Sequence, residues 1–123
     1  MSASNSIESK VEQLLTSMGY EFDAQVRIGR YSVDFLVRGK YIVECYGDFW
    51  HCNPEQYTSS YFNRGKKKTA KEIWERDQKR KEEFEKMGYI FICLWENEIR
   101  NAPKVVRRRL KRIITSVDKA GPT

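Results

Sequence analysis

The sequence predicts an α/β domain in which helices cover a mixed sheet, in the order α-β-β-β-α-β-α. Segments with apolar residues at helical spacing alternate with segments rich in β-branched and aromatic residues. Two of the strand-like segments flank a glycine turn and indicate a hairpin. A later run is almost wholly apolar, which is typical of a parallel strand covered on both faces.

The first half of the chain reads as a helix followed by a meander of strands. Ser6 is a suitable N-cap for the helix, and Gly19 offers its C-terminal stop. Gly39 centres the turn between the last two strands and sets their register. The strands are expected over residues 20–28, 31–37 and 41–46.

The second half begins with loop composition over residues 47–68. Thr69 and Glu72 form a capping box that opens a helix running to about Met87, and Gly88 closes it. Long loops in compact domains are usually functional or disordered, so this one is of interest for the site.

The apolar run over residues 89–95 predicts a strand at the centre of the sheet. Pro103 fits the first turn of a last helix. The apolar stripe of that helix comprises Val106, Leu110, Ile113, Ile114 and Val117.

The length and the net charge of the chain limit the functions that it can have. The 123 residues suit a single domain, 1–123, with an ordered core at about 6–117. The net charge of +6 and a pI near 9.3 favour a polyanionic partner, although a merely soluble basic protein remains an alternative. No segment reads as a membrane span or a signal peptide, so we expect an intracellular, cytoplasmic protein that is not secreted.

An acidic pair is expected within the hairpin. Pairing about Gly39 puts Asp34 directly across from Glu44. Opposed side chains lie about 5 Å apart, and two like charges at that distance repel, more so in a half-buried setting. A divalent cation between them would convert the repulsion into attraction.

Two further residues indicate chemistry. Asp77 lies on the apolar stripe of the second helix, where a carboxylate needs a partner or a task, although an i,i+4 pair with Lys81 is the alternative. His51, the sole histidine, follows the acidic hairpin and belongs to the residue type that exchanges protons near neutrality. Glu8 flanks the first helix's apolar stripe and, from spacing alone, reads as solvated.

Aromatic and basic residues offer candidate nucleic-acid contacts. Phe49 and Trp50 either plug the core, which is the safer interpretation, or present their faces to nucleobases. A basic tip and a basic helix face could neutralise phosphates or could simply be solvated. The tip comprises Arg64, Lys66, Lys67 and Lys68, and the helix face comprises Lys104, Arg107, Arg108 and Lys111.

Together these segments resemble the endonucleases of very short patch mismatch repair, a branch of the restriction-endonuclease-like PD-(D/E)XK superfamily. A group of homing endonucleases carries the same catalytic domain, and the chain looks closest to those. The resemblance spans Ile7 to about Ile99. The matching residues are Ile7-Glu8, Leu14-Leu15-Thr16 before Gly19, Val33-Asp34-Phe35, Gly47 with Phe49-Trp50-His51, Glu75-Arg76-Asp77, Gly88-Tyr89 and Leu94-Trp95-Glu96.

The resemblance implies a restriction-endonuclease-like core and a role for each matching residue. It implies that Asp34 and the backbone carbonyl of Cys45 bind Mg²⁺, for which Mn²⁺ can substitute. The acidic pair of the hairpin leaves Glu44 as a further candidate ligand. The resemblance also implies that Glu8 orders metal-bound water, that His51 is the general base, and that Asp77 orients the catalytic groups.

Departures from the family pattern carry predictions as well. The repair enzymes hold a structural zinc, but the matching places here hold Asp48, Asn53, Glu55 and Asn97. We therefore predict no structural zinc. Tyr46 replaces a second histidine, which would weaken catalysis or leave proton transfer to His51. The usual superfamily lysine is absent after the acidic strand, and Lys81 is a candidate substitute.

The sequence thus predicts a Mg²⁺-dependent endodeoxyribonuclease that hydrolyses double-stranded DNA with a metal-activated water. The homing-type catalytic domain, taken from a longer protein, is the favoured form. A mismatch-repair nicking endonuclease and a non-hydrolytic nucleic-acid-binding module on the same fold are the alternatives.

Overall fold

The computed structural model describes residues 6–120, and the side chains of residues 6–114. The predicted order of elements is confirmed, with a small hairpin and a short helix added. The helices are α1 Ile7–Ser17, α2 Ala70–Lys86, α3 Glu96–Asn101 and α4 Pro103–Ala120. The strands are β1 Phe22–Ile28, β2 Tyr31–Val37, β3 Tyr41–Tyr46, β4 Phe62–Asn63, β5 Lys68–Thr69 and β6 Ile90–Trp95.

The predicted helix ends are confirmed. The Ser6 hydroxyl accepts a hydrogen bond from the backbone N–H of Ser9, and Gly19 follows α1 with φ of 77°. At α2 both bonds of the capping box between Thr69 and Glu72 are present. These contacts satisfy end groups that a helix leaves unpaired, so short sequence motifs suffice to place the ends.

The main sheet has the strand order β1-β2-β3-β6, with β6 parallel to β3 and the other pairs antiparallel. The meander is confirmed, but the prediction that β6 lies at the centre was wrong, because β6 is at an edge. Its sequence is apolar because helices cover both its faces: Phe91 packs against Phe84 of α2, and Leu94 packs with α1 and α4. An apolar run therefore indicates two covered faces, not two neighbouring strands.

Two apolar clusters separate the layers. The larger lies between the sheet and α1, α3 and α4, and includes Leu15, Val43 and Leu110. The smaller lies under α2, around Phe84. Met87, which follows the last residue of α2, is 50% exposed, and the Val117 side chain lies outside the described residues. Among the described helices, none has the length and apolar content needed to cross a membrane.

Candidate active site

The hairpin of β2 and β3 opens at the point where the acidic residues lie. The register is the predicted one, with Phe35 opposite Val43, and the backbone ladder ends at that pair. Beyond it side chains bridge the strands. The N–H of Asp34 donates to Glu44 Oε2 at 3.2 Å, and the N–H of Cys45 donates to Asp34 Oδ2 at 2.8 Å. Because β2 and β3 separate here, there is room for both carboxylates between the two strands.

A local switch in side-chain direction accompanies this opening. Val26 and Val33 pack in the cluster beneath α2, whereas Phe35, two residues after Val33, packs in the cluster on the opposite face. Regular strands alternate strictly, so the alternation is broken at Asp34. Gln25 in β1 has φ of 54°, a left-handed conformation that is uncommon for a residue other than glycine. The backbone irregularity thus coincides with the candidate catalytic residue.

Arg80 of α2 supplies the positive charge that the acidic pair requires. Its Nε and Nη2 donate to Glu44 Oε1 at 3.1 and 2.9 Å, and Nη2 also donates to the Ser32 carbonyl at 2.7 Å. Burial raises the pKa of Glu44, while the Arg80 charge opposes that rise. A side chain of the protein thus neutralises Glu44, so the repulsion within the pair is relieved in part without a metal ion. Glu44 remains only a candidate ligand.

Glu8 lies against Asp34. A hydrogen bond between the two carboxyl groups, followed by burial and by the negative charges of Asp34 and Glu44, raises the pKa of Glu8 to about 7. A shared proton of this kind relieves the repulsion between neighbouring carboxylates. The interpretation of Glu8 as a solvated residue was wrong, because helical spacing does not report that the N-terminal turn of α1 meets the open end of the hairpin.

His51 is held by two partners. Its Nδ1 lies 2.8 Å from Asp77 Oδ2, and its ring stacks on Tyr46 with centroids 3.9 Å apart and planes 7° apart. A carboxylate only accepts hydrogen bonds, so a neutral imidazole here carries its proton on Nδ1 and leaves Nε2 as the base. The inward position of Asp77 is confirmed. Its partner is His51, and Lys81 is not among the residues that line the site.

The loop carrying His51 is fixed by a hydrogen-bond network around Asp48. The Asp48 carboxylate accepts from the side chains of Asn53 at 3.0 Å and Gln56 at 3.1 Å, and from the N–H of Asn97 at 3.4 Å. Three of these residues occupy the places where the resemblance puts zinc ligands. The loop is thus tied to α3 through polar groups, and the absence of a structural zinc stays a prediction.

The basic tip lies on the hairpin of β4 and β5, within the segment 47–68 whose composition predicts a loop. Asn63 is fully buried there; its Nδ2 donates to the Phe49 carbonyl at 2.7 Å, and its Oδ1 accepts from the N–H of Lys66 at 2.9 Å. It therefore joins the His51 loop to the tip. Phe49 is 37% and Trp50 52% exposed, so the core interpretation of these aromatics was wrong.

The candidate catalytic residues line one cleft of about 960 Å³. Its acidic side chains come from α1, the sheet and α2, and its basic side chains come from the β1–β2 turn, the β4–β5 hairpin and α2. Lys66 and Lys68 of the tip line the cleft, whereas Arg64 and Lys67 do not. The acidic set is Glu8, Asp34, Glu44, Asp77 and Glu83, and the basic set beside the tip is Arg30, Arg76, Lys79 and Arg80.

The oxygen atoms near Asp34 suit a hard cation. Burial and the charge of Asp34 raise the pKa of the Cys45 thiol well above its usual range, so this side chain stays neutral and is a poor ligand. The N–H and C=O of one strand residue project toward the same neighbour, so the Cys45 carbonyl faces the Asp34 side, as its N–H does. Within residues 6–114 no three His, Cys, Asp or Glu side chains form a ready metal site. A site for Mg²⁺ would accordingly rely on the carbonyl and on water, which Mg²⁺ retains readily.

The sheet, its two helical layers and the carboxylates at the open hairpin define a restriction-endonuclease-like core. The Homing Endonuclease I-Bth0305I Catalytic Domain has a similar structure, with a TM-score of 0.62 and 17% sequence identity over 90% of this chain and 96% of that one. The predicted fold is therefore confirmed.

Sequence comparison finds a similar nicking enzyme. The chain is 33% identical over 88 residues to the Type II nicking enzyme V.NmeAIP of Neisseria meningitidis serogroup A / serotype 4A (strain DSM 15465 / Z2491). That match covers 69% of this chain and 61% of the nicking enzyme. No protein-family model matches. These similarities support the predicted resemblance to nucleases of the restriction-endonuclease-like superfamily.

Proposed function

We propose that this chain is a DNA endonuclease that hydrolyses a phosphodiester of double-stranded DNA in the cleft, with Mg²⁺, or Mn²⁺ in its place, as cofactor. The observation that carries the proposal is that the His51–Asp77 pair and the Asp34–Cys45 bridge line one cleft. A proton acceptor and a set of hard oxygen atoms thus face a common space. The nicking enzyme and the homing endonuclease domain that resemble the chain support this chemistry.

Each residue then has a defined task. Asp34 and the Cys45 carbonyl would hold Mg²⁺, which lowers the pKa of water and neutralises phosphate charge when bound. His51 Nε2 takes the proton of the attacking water, and Asp77 fixes the tautomer and stabilises the imidazolium that forms. Glu8 orients water beside Asp34. Tyr46 restrains the imidazole by stacking, and its phenol stays neutral because burial raises its pKa far above neutrality.

The arrangement of charge suits a DNA backbone. Lys66 and Lys68 on the hairpin and Arg76 and Lys79 on α2 line the cleft around its acidic residues. Cations at the rim attract phosphates and release counterions, whereas the acids repel them unless a cation is bound. Phe49 and Trp50 are exposed beside the hairpin, and Trp50 packs over Gly65 at its tip. We assign their exposed faces to contact with bases.

Replacement of the general base tests the proposal. His51→Ala should abolish cleavage of plasmid DNA in Mg²⁺ yet leave binding of a duplex in EDTA within about twofold, because His51 acts on the water and makes no required phosphate contact. Lys10→Ala, on the exposed side of α1, is the control and should cleave like the wild type. Equal cleavage by wild type and His51→Ala would exclude the proposed mechanism.

A non-hydrolytic binding module is the second candidate, favoured by Arg80, which already neutralises Glu44, and by Tyr46, which stands where the resemblance puts a second histidine. It predicts DNA binding that is indifferent to EDTA and no cleavage in either metal. A mismatch-repair nicking activity differs only in substrate. Comparison of a T:G duplex with its matched duplex separates it from homing-type cleavage.

A further inference from the structure

Helix α4 carries a charge out of proportion to its length. Residues 103–114 contain six lysines and arginines and no acidic residue, which equals the whole net charge of +6. The rest of the chain holds seventeen basic and seventeen acidic residues and is neutral overall. The electrostatic excess that suggested a polyanionic partner therefore lies on this helix and not around the cleft.

The exposed cations of α4 form one stripe. Lys104, Arg108, Lys111 and Arg112 recur at spacings that keep them on one side of a helix, and all four are exposed. None of them has an acidic partner among the described residues, in contrast to Arg109, which pairs with Glu98 at 3.3 Å. The stripe extends about 12 Å along the helix axis, at 1.5 Å per residue. Consecutive phosphates of one DNA strand rise about 3.4 Å along the duplex axis, so several fall within that length.

The stripe is separate from the cleft. Helix α4 packs on the sheet face that α1 also covers, whereas α2, which lines the cleft, packs on the other face. No described residue of α4 lines the cleft. The stripe and the cleft therefore lie on different helical layers of the domain.

The apolar side of α4 argues against a lipid surface. Val106, Leu110 and Ile114 are at most 1% exposed, because they form part of the core. A membrane-surface helix needs an apolar face free for insertion, and among the side chains of residues 103–114 only Val105 is an exposed large apolar residue, at 41%. A helix that exposes charged side chains and buries its apolar ones is suited to bind phosphate groups in water.

We propose that this α4 stripe is a second DNA-binding surface, which holds the backbone of a duplex segment other than the one in the cleft. The inference goes beyond the proposed cleavage and concerns binding alone. It is therefore testable in EDTA, whether or not the chain cleaves DNA.

The experiment compares two triple variants of the full chain. Lys104→Gln/Arg108→Gln/Lys111→Gln removes charge from the stripe and retains good helix formers. The control removes the same charge from exposed positions elsewhere, with Arg27→Gln/Lys40→Gln/Lys86→Gln. Binding of a short fluorescent duplex is titrated in EDTA at about 50 and about 200 mM salt, and circular dichroism checks the helix content of each variant.

We expect wild type to bind two duplexes and the stripe variant to bind one. If all three side chains contact phosphates, the rise in salt from about 50 to about 200 mM weakens wild-type binding about 40-fold more than it weakens binding by the stripe variant. The control variant should keep the salt dependence of the wild type. Equal losses in the two triples would show that only net charge matters and would overturn the proposal. Loss of binding to phosphatidylserine vesicles in the stripe variant, with duplex binding unchanged from the wild type, would also overturn the proposal.

Discussion

Removal of Arg80 should reveal the free-energy cost of burying the Glu44 carboxylate on β3. Arg80→Met keeps an unbranched apolar side chain but removes the guanidinium, which lies over the Tyr31 and Phe84 rings and is the ion-pair partner of Glu44. The Glu44 side chain is only 8% exposed, so water cannot replace the lost bonds. Breaking a buried pair costs about 3–5 kcal/mol, and we expect the lower figure, about 3 kcal/mol, because Arg80 itself is 24% exposed.

For a domain of this size that cost corresponds to a fall in Tm of about 12 °C, at about 4 °C per kcal/mol. Thermal and urea unfolding, followed by circular dichroism, measure it. Lys79→Met, which removes a neighbouring exposed charge, should change the free energy of unfolding by less than about 0.5 kcal/mol. The double variant Arg80→Met/Glu44→Gln should recover part of the loss, because no charge is then buried.

The dependence on pH gives a second test of the same reasoning. Burial already raises the pKa of Glu44 in the folded state above 4.5, and loss of Arg80 raises it further. A raised pKa means that the folded state favours the protonated carboxyl. Its stabilising contribution is full below 4.5 and is lost as the pH rises through the folded value. Arg80→Met should therefore be nearer to wild type at pH 4.5 than at pH 8. A deficit that is independent of pH and is unchanged by Glu44→Gln would refute this account.

Three further outcomes follow from the site. Asp77→Asn should lower kcat about 100-fold with little change in KM, because His51 loses the partner that sets its tautomer; an unchanged kcat in quenched-flow cleavage would contradict this role. In the metal-free protein the raised pKa of Glu8, about 7, adds stability that is full below 4.5 and is lost as the pH rises through 7. Mg²⁺ should thus raise Tm more at pH 8 than at pH 5, and Glu8→Gln should flatten this difference. Tyr46→Phe should retain cleavage within about threefold while Tyr46→Leu loses it, since the ring face restrains His51; a large loss in Tyr46→Phe would instead assign proton transfer to the hydroxyl.

Local chemistry explains what the sequence could predict. The ends of α1 and α2 depend on Ser6, Thr69 and Glu72, which bond to backbone groups within one helical turn. The hairpin register depends on the three-residue loop around Gly39. Such contacts involve neighbours in sequence, so a pattern of residue types reveals them.

The rest of the site depends on contacts between distant segments. Arg80 lies 36 positions from Glu44, and the residues around it in sequence give no indication of its partner. Asn63 reads as a turn residue in sequence, yet it is fully buried and joins two loops. The edge position of β6 was missed because coverage by helices on both faces gives the same apolar run as a central strand. The only available hint for Asn63 was the following Arg64-Gly65, a turn signal within the basic tip.

The central claim is that Asp34 makes the cleft a metal-dependent nuclease site. Single-turnover cleavage of supercoiled plasmid, with Mg²⁺ titrated against wild type and Asp34→Asn, tests it most directly. We expect that cleavage by the wild type requires Mg²⁺ and stops in EDTA. In Asp34→Asn the cleavage rate should fall at least about 100-fold while duplex binding is retained. Cleavage that persists in EDTA, or that Asp34→Asn supports at the wild-type rate, would contradict this claim.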